Sequence, residues 1–71
     1  MRVDFEAPND FMAIITGEKL AAKALPAGHE IMIAREGETY YWQCSPDLEY
    51  VVWAKRRLPG NRILRLHTIG G

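Results

Sequence analysis

The chain has 71 residues, of which 48% are hydrophobic and 25% charged, with nine basic and nine acidic side chains. This is the composition of one small globular domain, and it excludes a disordered chain or a membrane protein. The single cysteine, Cys44, excludes an internal disulfide bond, and together with two histidines it gives no metal-ligand spacing. We therefore expect a cytoplasmic protein without metal or cofactor. The apolar run Phe11–Ile15 is too short for a signal or a membrane span, so we expect no membrane association.

The first half of the chain predicts two strands and a helix. Arg2–Phe5 alternates between polar and apolar residues and is typical of an opening strand. Phe11–Ile15 is rich in apolar residues and is interpreted as the second strand of a hairpin. Thr16 then resembles a helix N-cap, with a helix over Gly17–Leu25. A single helix over Asp10–Leu25 is the alternative, because periodicity does not resolve short apolar runs.

The middle of the chain predicts a hairpin of Glu30–Ala34 with Thr39–Cys44. A two-residue loop at 36–37 would pair residue 33 with 40 and residue 31 with 42. This register places four large side chains on one face of the sheet: Ile31, Ile33, Tyr40 and Trp42. We expect Tyr41, which points to the other face, to be exposed.

The last third of the chain predicts further strands. Leu48–Ala54 is apolar with partial alternation and is interpreted as a strand region. The final strand, 62–68, is expected to bury Leu64 and Leu66 and is followed directly by Gly70 and Gly71. One amphipathic helix needs one sheet face to cover, so the pattern predicts a two-layer α+β domain.

The order of these elements and three local patterns resemble ubiquitin-like β-grasp proteins, including the sulfur carriers of thiamin and molybdopterin biosynthesis. The segment ITGEKL at 15–20, with ALP at 24–26, is similar to the helix entry and helix end of bacterial ubiquitin-like domains. PGNRIL at 59–64 resembles the turn before their last strand, and LRL at 64–66 with IGG at 69–71 resembles their processed C-terminus. Ile69 stands where ubiquitin has arginine, and this apolar residue is closer to the sulfur carriers.

The resemblance implies a mixed sheet of four to five strands, covered on one face by one helix, over residues 1–69. Residues 70–71 would form a flexible diglycine tail. Gly70 and Gly71, which have no side chains, would pass through a narrow channel of an E1-like enzyme, and this enzyme would use ATP to adenylate Gly71. An E2-like enzyme would then join the protein to amines of target proteins through an isopeptide bond, which a protease could cleave. In the alternative, Gly71 becomes a thiocarboxylate and the protein carries sulfur. Partner recognition is expected from an exposed patch and the residues next to the tail, namely Met32, Ile63, Arg65, His67 and Ile69.

The distribution of charge suggests a different function. Residues 1–52 hold all nine acidic side chains and four basic ones, whereas residues 53–71 hold five basic side chains and no acidic one. This indicates either a basic face or a rim that attracts the acidic half of the same chain. The chain could therefore be a binding module that contacts an acidic protein or, less favoured, a nucleic acid. The basic patch that would make this contact consists of Trp53, Lys55, Arg56, Arg57 and Arg62. Trp53 could instead cap the edge of the core. No phosphate loop, carboxylate pair or metal motif is present, so we expect no catalytic residue.

Overall fold

The computed structural model describes residues 1–70, so the predicted role of Gly71 lies outside the described residues. Four strands and two helices make up the fold, which confirms the α+β class. In chain order they are β1 (Arg2–Phe5), α1 (Asp10–Ala24), β2 (Glu30–Glu36), β3 (Thr39–Gln43), α2 (Leu48–Lys55) and β4 (Asn61–Thr68). No helix within residues 1–70 combines the length and the apolar character needed to cross a membrane.

The strands form one sheet in the order β1-β3-β2-β4, and every pair of neighbours is antiparallel. The expectation of a mixed sheet is therefore wrong. In the β-grasp arrangement the last strand lies between the first and the third, whereas here β1 pairs directly with β3 and β4 lies at the edge beside β2. The β-grasp expectation is thus not confirmed.

A single helix, α1, occupies the region predicted as a strand and a shorter helix. The Asn9 side chain accepts a hydrogen bond from the backbone N–H of Met12 at 2.9 Å and caps the first turn. Asp10 follows in the first turn, where its charge is favourable. The predicted strand Phe11–Ile15 is wrong and the alternative single helix is confirmed, because this cap starts the helix before the apolar run. Pro26 follows the C-cap and cannot continue the helix.

Helix α2 replaces the strand predicted at Leu48–Ala54, and that expectation is wrong. Leu48 and Val52, four residues apart, are both buried against the sheet, which is the spacing of one helical face. The N-cap residue, Asp47, makes no capping bond from its side chain. Packing on the sheet, more than local capping, therefore holds α2 in place.

The two helices cover opposite faces of the sheet. Neighbouring residues of a strand point to opposite faces. Ile31 and Ile33 of β2 pack in the core beneath α1, whereas Met32 and Ala34 pack in the core beneath α2. The expectation of one helix on one face is wrong, because β2 is apolar on both sides and both sides are covered.

The connections between strands explain this placement. β1 reaches the parallel strand β2 through α1, with β3 between them, and β3 reaches β4 through α2, with β2 between them. Both connections step the same way across the sheet, but β1 and β3 run in opposite directions. Crossover connections between parallel strands nearly always have the same handedness. If both connections here follow that rule, the two helices must lie on opposite faces of the sheet.

The β2–β3 hairpin is confirmed with a different register. Ile33 pairs with Trp42, and Glu36 pairs with Thr39 around a loop at residues 37–38. A shift of two residues leaves every side chain on its predicted face, so Ile31, Ile33 and Trp42 share one core. Tyr41 is fully buried and the expectation of its exposure is wrong, because α2 covers the face to which it points.

A bulge in β4 changes what the last strand buries. Ile33 pairs with Arg65 and Ala34 pairs with Ile63, so Leu64 is the extra residue. Leu64 packs beneath α1, and Leu66 lies on the α2 side with 51% of its surface exposed. The expectation that Leu66 is buried is wrong, because this edge of the sheet extends beyond the cover that α2 provides.

Candidate functional site

The residues expected to recognise a partner do not form one surface. Met32 is fully buried beneath α2 and Ile69 is 4% exposed beneath α1. Ile63 packs on the α2 side, whereas Arg65 and His67 lie on the α1 side. The bulge and the second helix thus divide the predicted patch between two faces and two cores.

The side chains of Arg65 and His67 both meet Glu18 of α1. His67 Nδ1 lies 2.8 Å from one carboxylate oxygen of Glu18, and an Arg65 guanidinium nitrogen lies 3.5 Å from the other. These contacts join the edge strand β4 to the helix above it. A structural role therefore accounts for both residues.

The segment before Gly71 is held by the backbone as far as Ile69. The Ile69 N–H donates to the His29 carbonyl, and the Gly28 N–H donates to the Ile69 carbonyl, both at 2.8 Å. Gly70 has φ +69°, and a Cβ there would lie 2.8 Å from the Cβ of Ala27. The positive φ and the close approach to Ala27 thus explain why glycine is favoured at position 70, without any reference to chemistry at Gly71.

The predicted basic patch is also divided. Arg62 lies 3.8 Å from the Asp10 carboxylate, on the α1 side of the sheet. Asp10 also accepts hydrogen bonds from Arg35 at 3.0 Å and from the Tyr40 hydroxyl at 2.7 Å, and the latter bond raises the pKa of Tyr40 above its usual value. Arg62 and Arg65 are therefore engaged by acidic residues of the first half of the chain, as the rim interpretation of the charge asymmetry expects.

The outer face of α2 carries a stacked group that we call the aromatic column, formed by Tyr50, Trp53 and Arg57. The rings of Tyr50 and Trp53 are stacked, with centroids 5.9 Å apart and planes 22° apart. The Arg57 guanidinium carbon lies 3.9 Å from the centre of the Trp53 ring, and this side chain also donates to the Trp53 carbonyl at 2.9 Å. Tyr50 is 64% exposed and Trp53 52% exposed, although both side chains are large and aromatic.

Sequence reasoning selected Trp53 but missed Tyr50. In a strand, residues 50 and 53 would point to opposite faces, whereas in a helix residues three apart share a face. The expectation that Trp53 caps the core is not met either, since Trp53 belongs to neither buried cluster. A helical interpretation of 48–55 would have grouped the column.

Charge along α2 changes sign from one end to the other. Asp47 and Glu49 lie at its N-terminal end, and Lys55, Arg56 and Arg57 lie at its C-terminal end. Within residues 1–70, none of these three basic side chains forms an ion pair with a carboxylate. Lys55 instead lies 5.7 Å from the centre of the Tyr41 ring. Lys55 therefore lies on the inner side of α2, towards the sheet. The exposed aromatic residues of α2 have Asp47 and Glu49 at one end of the helix and the exposed Arg56 and Arg57 at the other.

Two depressions flank the aromatic column. A groove of about 400 Å³ lies between α2 and β4, with Leu48, Val52 and the exposed Leu66 among its walls. A more open depression surrounds Tyr50 and Trp53 and is bordered by Pro46, Asp47 and Glu49. Neither depression has the set of three neighbouring His, Cys, Asp or Glu side chains that a metal ion needs, and no such set occurs within residues 1–70.

Comparisons with protein-family models, with curated proteins and with solved structures give no match for this chain. The resemblance to ubiquitin-like proteins therefore stays a prediction from the residues that carry it. The stacked and exposed aromatic side chains on α2 are a feature that the folding of this chain does not require.

Proposed function

We propose that the chain is a small, non-catalytic protein-binding module and that the outer face of α2 is its contact surface. The observation that supports this most directly is the exposure of two stacked aromatic side chains, Tyr50 and Trp53, on a helix whose other face is buried. Fully burying one large apolar side chain contributes roughly 1.5–3 kcal/mol, and this fold leaves part of that contribution unused because more than half of each side chain is exposed.

The composition and the order of the aromatic column suit an interface. Tryptophan, tyrosine and arginine are the residues most enriched among those that contribute most to binding free energy. The three side chains already support one another by stacking and by the guanidinium contact at 3.9 Å. Binding would therefore immobilise few additional side chains. Each side chain that is already ordered avoids a conformational free-energy cost of about 0.5–1.5 kcal/mol on binding.

A protein partner fits this surface better than a single-stranded nucleic acid. Stacking on a base requires a free ring face, but the Trp53 ring already stacks with Tyr50 and has the Arg57 guanidinium over it. Asp47 and Glu49 next to the column would repel phosphates. Two of the five basic residues of the last segment, Arg62 and Arg65, are engaged by carboxylates.

Quantitative capture with matched variants tests this proposal. The tagged protein, the double variant Tyr50→Ser with Trp53→Ser, and the control Phe11→Ser would be recovered from source cells and their bound proteins quantified by mass spectrometry. Phe11 is 71% exposed on α1 and so serves as a control for the loss of any exposed aromatic residue. We expect specific partners to be lost with the double variant and kept with the control. Equal partner profiles for all three proteins would refute the proposal.

A binding titration distinguishes the nucleic-acid alternative. Fluorescence anisotropy with a labelled single-stranded oligonucleotide would be recorded at several salt concentrations. We expect weak binding, whereas tight binding that falls steeply with salt would favour the basic segment as a phosphate site.

Conjugation through Gly71, with the thiocarboxylate as its alternative, is a separate proposal that rests on the resemblance of the C-terminal residues to those of ubiquitin-like proteins. An activating enzyme that threads this end through a narrow channel would have to break the two hydrogen bonds between Ile69 and residues 28–29. Trypsin cleaves after Arg65, so a conjugated lysine would carry the remnant from Leu66 to Gly71. Detection of that remnant in source cells would establish a modifier, and sulfur in place of a terminal oxygen would establish a sulfur carrier.

A further inference from the structure

We propose that a second copy of this chain docks on the outer face of α2, with the two helices antiparallel about a twofold axis. This inference rests on the proposed function, because it names the partner of the same surface. It follows from the self-complementarity of that surface: a twofold contact requires that one patch fit a rotated copy of itself.

The charges of α2 meet this requirement. An antiparallel arrangement brings the acidic end, with Asp47 and Glu49, against the basic end, with Arg56 and Arg57, of the other copy. Twofold symmetry forms this pairing twice. A parallel arrangement would instead place like charges together at both ends. The helix dipoles also favour the antiparallel orientation.

The aromatic residues fix the position of the axis. An axis that passes midway between Tyr50 and Trp53 places each Tyr50 opposite the Trp53 of the second copy. Residue 49 then lies opposite residue 54 of the second copy, so Glu49 is two residues, about 3 Å along the helix, from Arg56 there. Side chains of this length span that offset, so one axis satisfies both the aromatic and the charged contacts.

The size of the helix sets the expected strength of the contact. The eight residues of α2 extend over roughly 12 Å. Such a contact buries less than the roughly 800 Å² per partner of standard protein interfaces. We therefore expect a weak dimer, with a dissociation constant on the order of 10–100 μM.

Sedimentation of the wild-type protein over a range from about 10 μM to about 1 mM measures this equilibrium. We expect a shift from monomer to dimer across that range. The Tyr50→Ala and Trp53→Ala variants should each raise the dissociation constant about tenfold or more, because each removes two contacts at the centre of the interface. Phe11→Ala, far from α2 in the chain, should leave it unchanged.

A charge exchange tests the antiparallel orientation. Glu49→Arg and Arg56→Glu each place like charges opposite one another at both ends of the dimer, so each variant alone should be monomeric. An equimolar mixture of the two restores opposite charges at both ends and should form a heterodimer with near wild-type affinity. Circular dichroism of each variant verifies that α2 and the remainder of the fold are retained.

Three results would overturn the inference: a wild-type protein that stays monomeric at about 1 mM, a dimer that persists in the Tyr50 and Trp53 variants, or a charge-exchange mixture that remains monomeric. None of them decides the proposed function. That function fails independently if the capture experiment gives the same partners with and without the aromatic column.

Discussion

The substitution Gly17→Ala separates what helix propensity predicts from what packing predicts. Gly17 lies inside α1 and is buried. Glycine in a helix interior is about 1 kcal/mol less favourable than alanine, so propensity alone predicts that the substitution stabilises the fold by that amount. The structure predicts the opposite sign, because the added methyl group would meet the sheet.

The magnitude follows from the contacts of that methyl group. An ideal Cβ at Gly17 would lie 3.2 Å from each of three carbon atoms of Ile33. Ordinary carbon contacts are about 3.5–4.0 Å. Ile33 is fully buried, its side chain is stiff at χ1, and it lies in β2 between two paired strands, so it has little room to withdraw. Overpacking of this kind costs about 1–3 kcal/mol.

The net expectation is a loss of about 1 kcal/mol in the free energy of unfolding, since crowding exceeds the gain in propensity. For a domain of this size, the melting temperature should fall by about 4–8 °C. Urea and thermal unfolding followed by circular dichroism and tryptophan fluorescence measure both quantities. The exposed position Ala22, replaced by glycine, gives the propensity increment of α1 without the packing contribution.

A double-mutant cycle with Ile33→Val identifies the cause. Valine removes one of the three crowded atoms and leaves space for the others to shift, so Gly17→Ala should be less destabilising in that background. The reasoning would be refuted if Gly17→Ala stabilised the protein by as much as Ala22→Gly destabilises it. That result would show that α1 and the sheet are not in tight contact at Gly17.

Three further predictions concern the core, the titration of a tyrosine and the C-terminal segment. Leu66→Ala should lower the free energy of unfolding by about 1 kcal/mol or less because half of the residue is exposed, whereas Ile31→Ala, at a fully buried site, should lower it by about 2–5 kcal/mol. Similar losses for the two variants in urea unfolding would contradict the difference in burial. The hydrogen bond to Asp10 raises the pKa of Tyr40 in the fold above its usual value of 10.0, so the native state retains this proton longer and stability should fall as the pH rises above 10.0. Tyr40→Phe should remove the part of this loss of stability that comes from Tyr40. If the unfolding midpoints of the wild type and the variant change in parallel with pH, Tyr40 makes no contribution. Gly70→Ala should cost about 1 kcal/mol or more because Gly70 has a positive φ and because the added Cβ would lie 2.8 Å from the Cβ of Ala27. Its local effect should be faster amide exchange at Ile69, and unchanged exchange there would mean that Gly70 does not fix this segment.

Much of the fold could be predicted where local signals were strong. The opening strand Arg2–Phe5 and the hairpin around Gly37 are both present, and the alternation within the hairpin gave the correct faces although the register differs by two residues. The α+β class followed from these elements. For the candidate site, Trp53 and the cluster of basic residues after it were selected, because an aromatic residue next to several cations is visible in the sequence.

The predictions failed where short apolar segments had no decisive local signal. Phe11–Ile15 and Leu48–Ala54 are too short for periodicity to separate a strand from a helix. The error at Leu48–Ala54 also concealed the aromatic column, since Tyr50 and Trp53 share a face only in a helix. Alternation in a regular strand places Leu64 and Leu66 on the same buried face, whereas the bulge that separates them depends on pairing with the distant strand β2.

The sequence by itself determined the class of fold and the separation of charge between the two parts of the chain, because composition and alternation are local properties. Only the tertiary structure decided which faces the helices cover, since that depends on strand direction and on the hand of each crossover. The same long-range order brings Glu18 to Arg65 and His67, and Asp10 to Arg62, which leaves the cations of α2 without such partners among the described residues. The proposed interface thus arises from the assembly of distant segments, which no local pattern specifies.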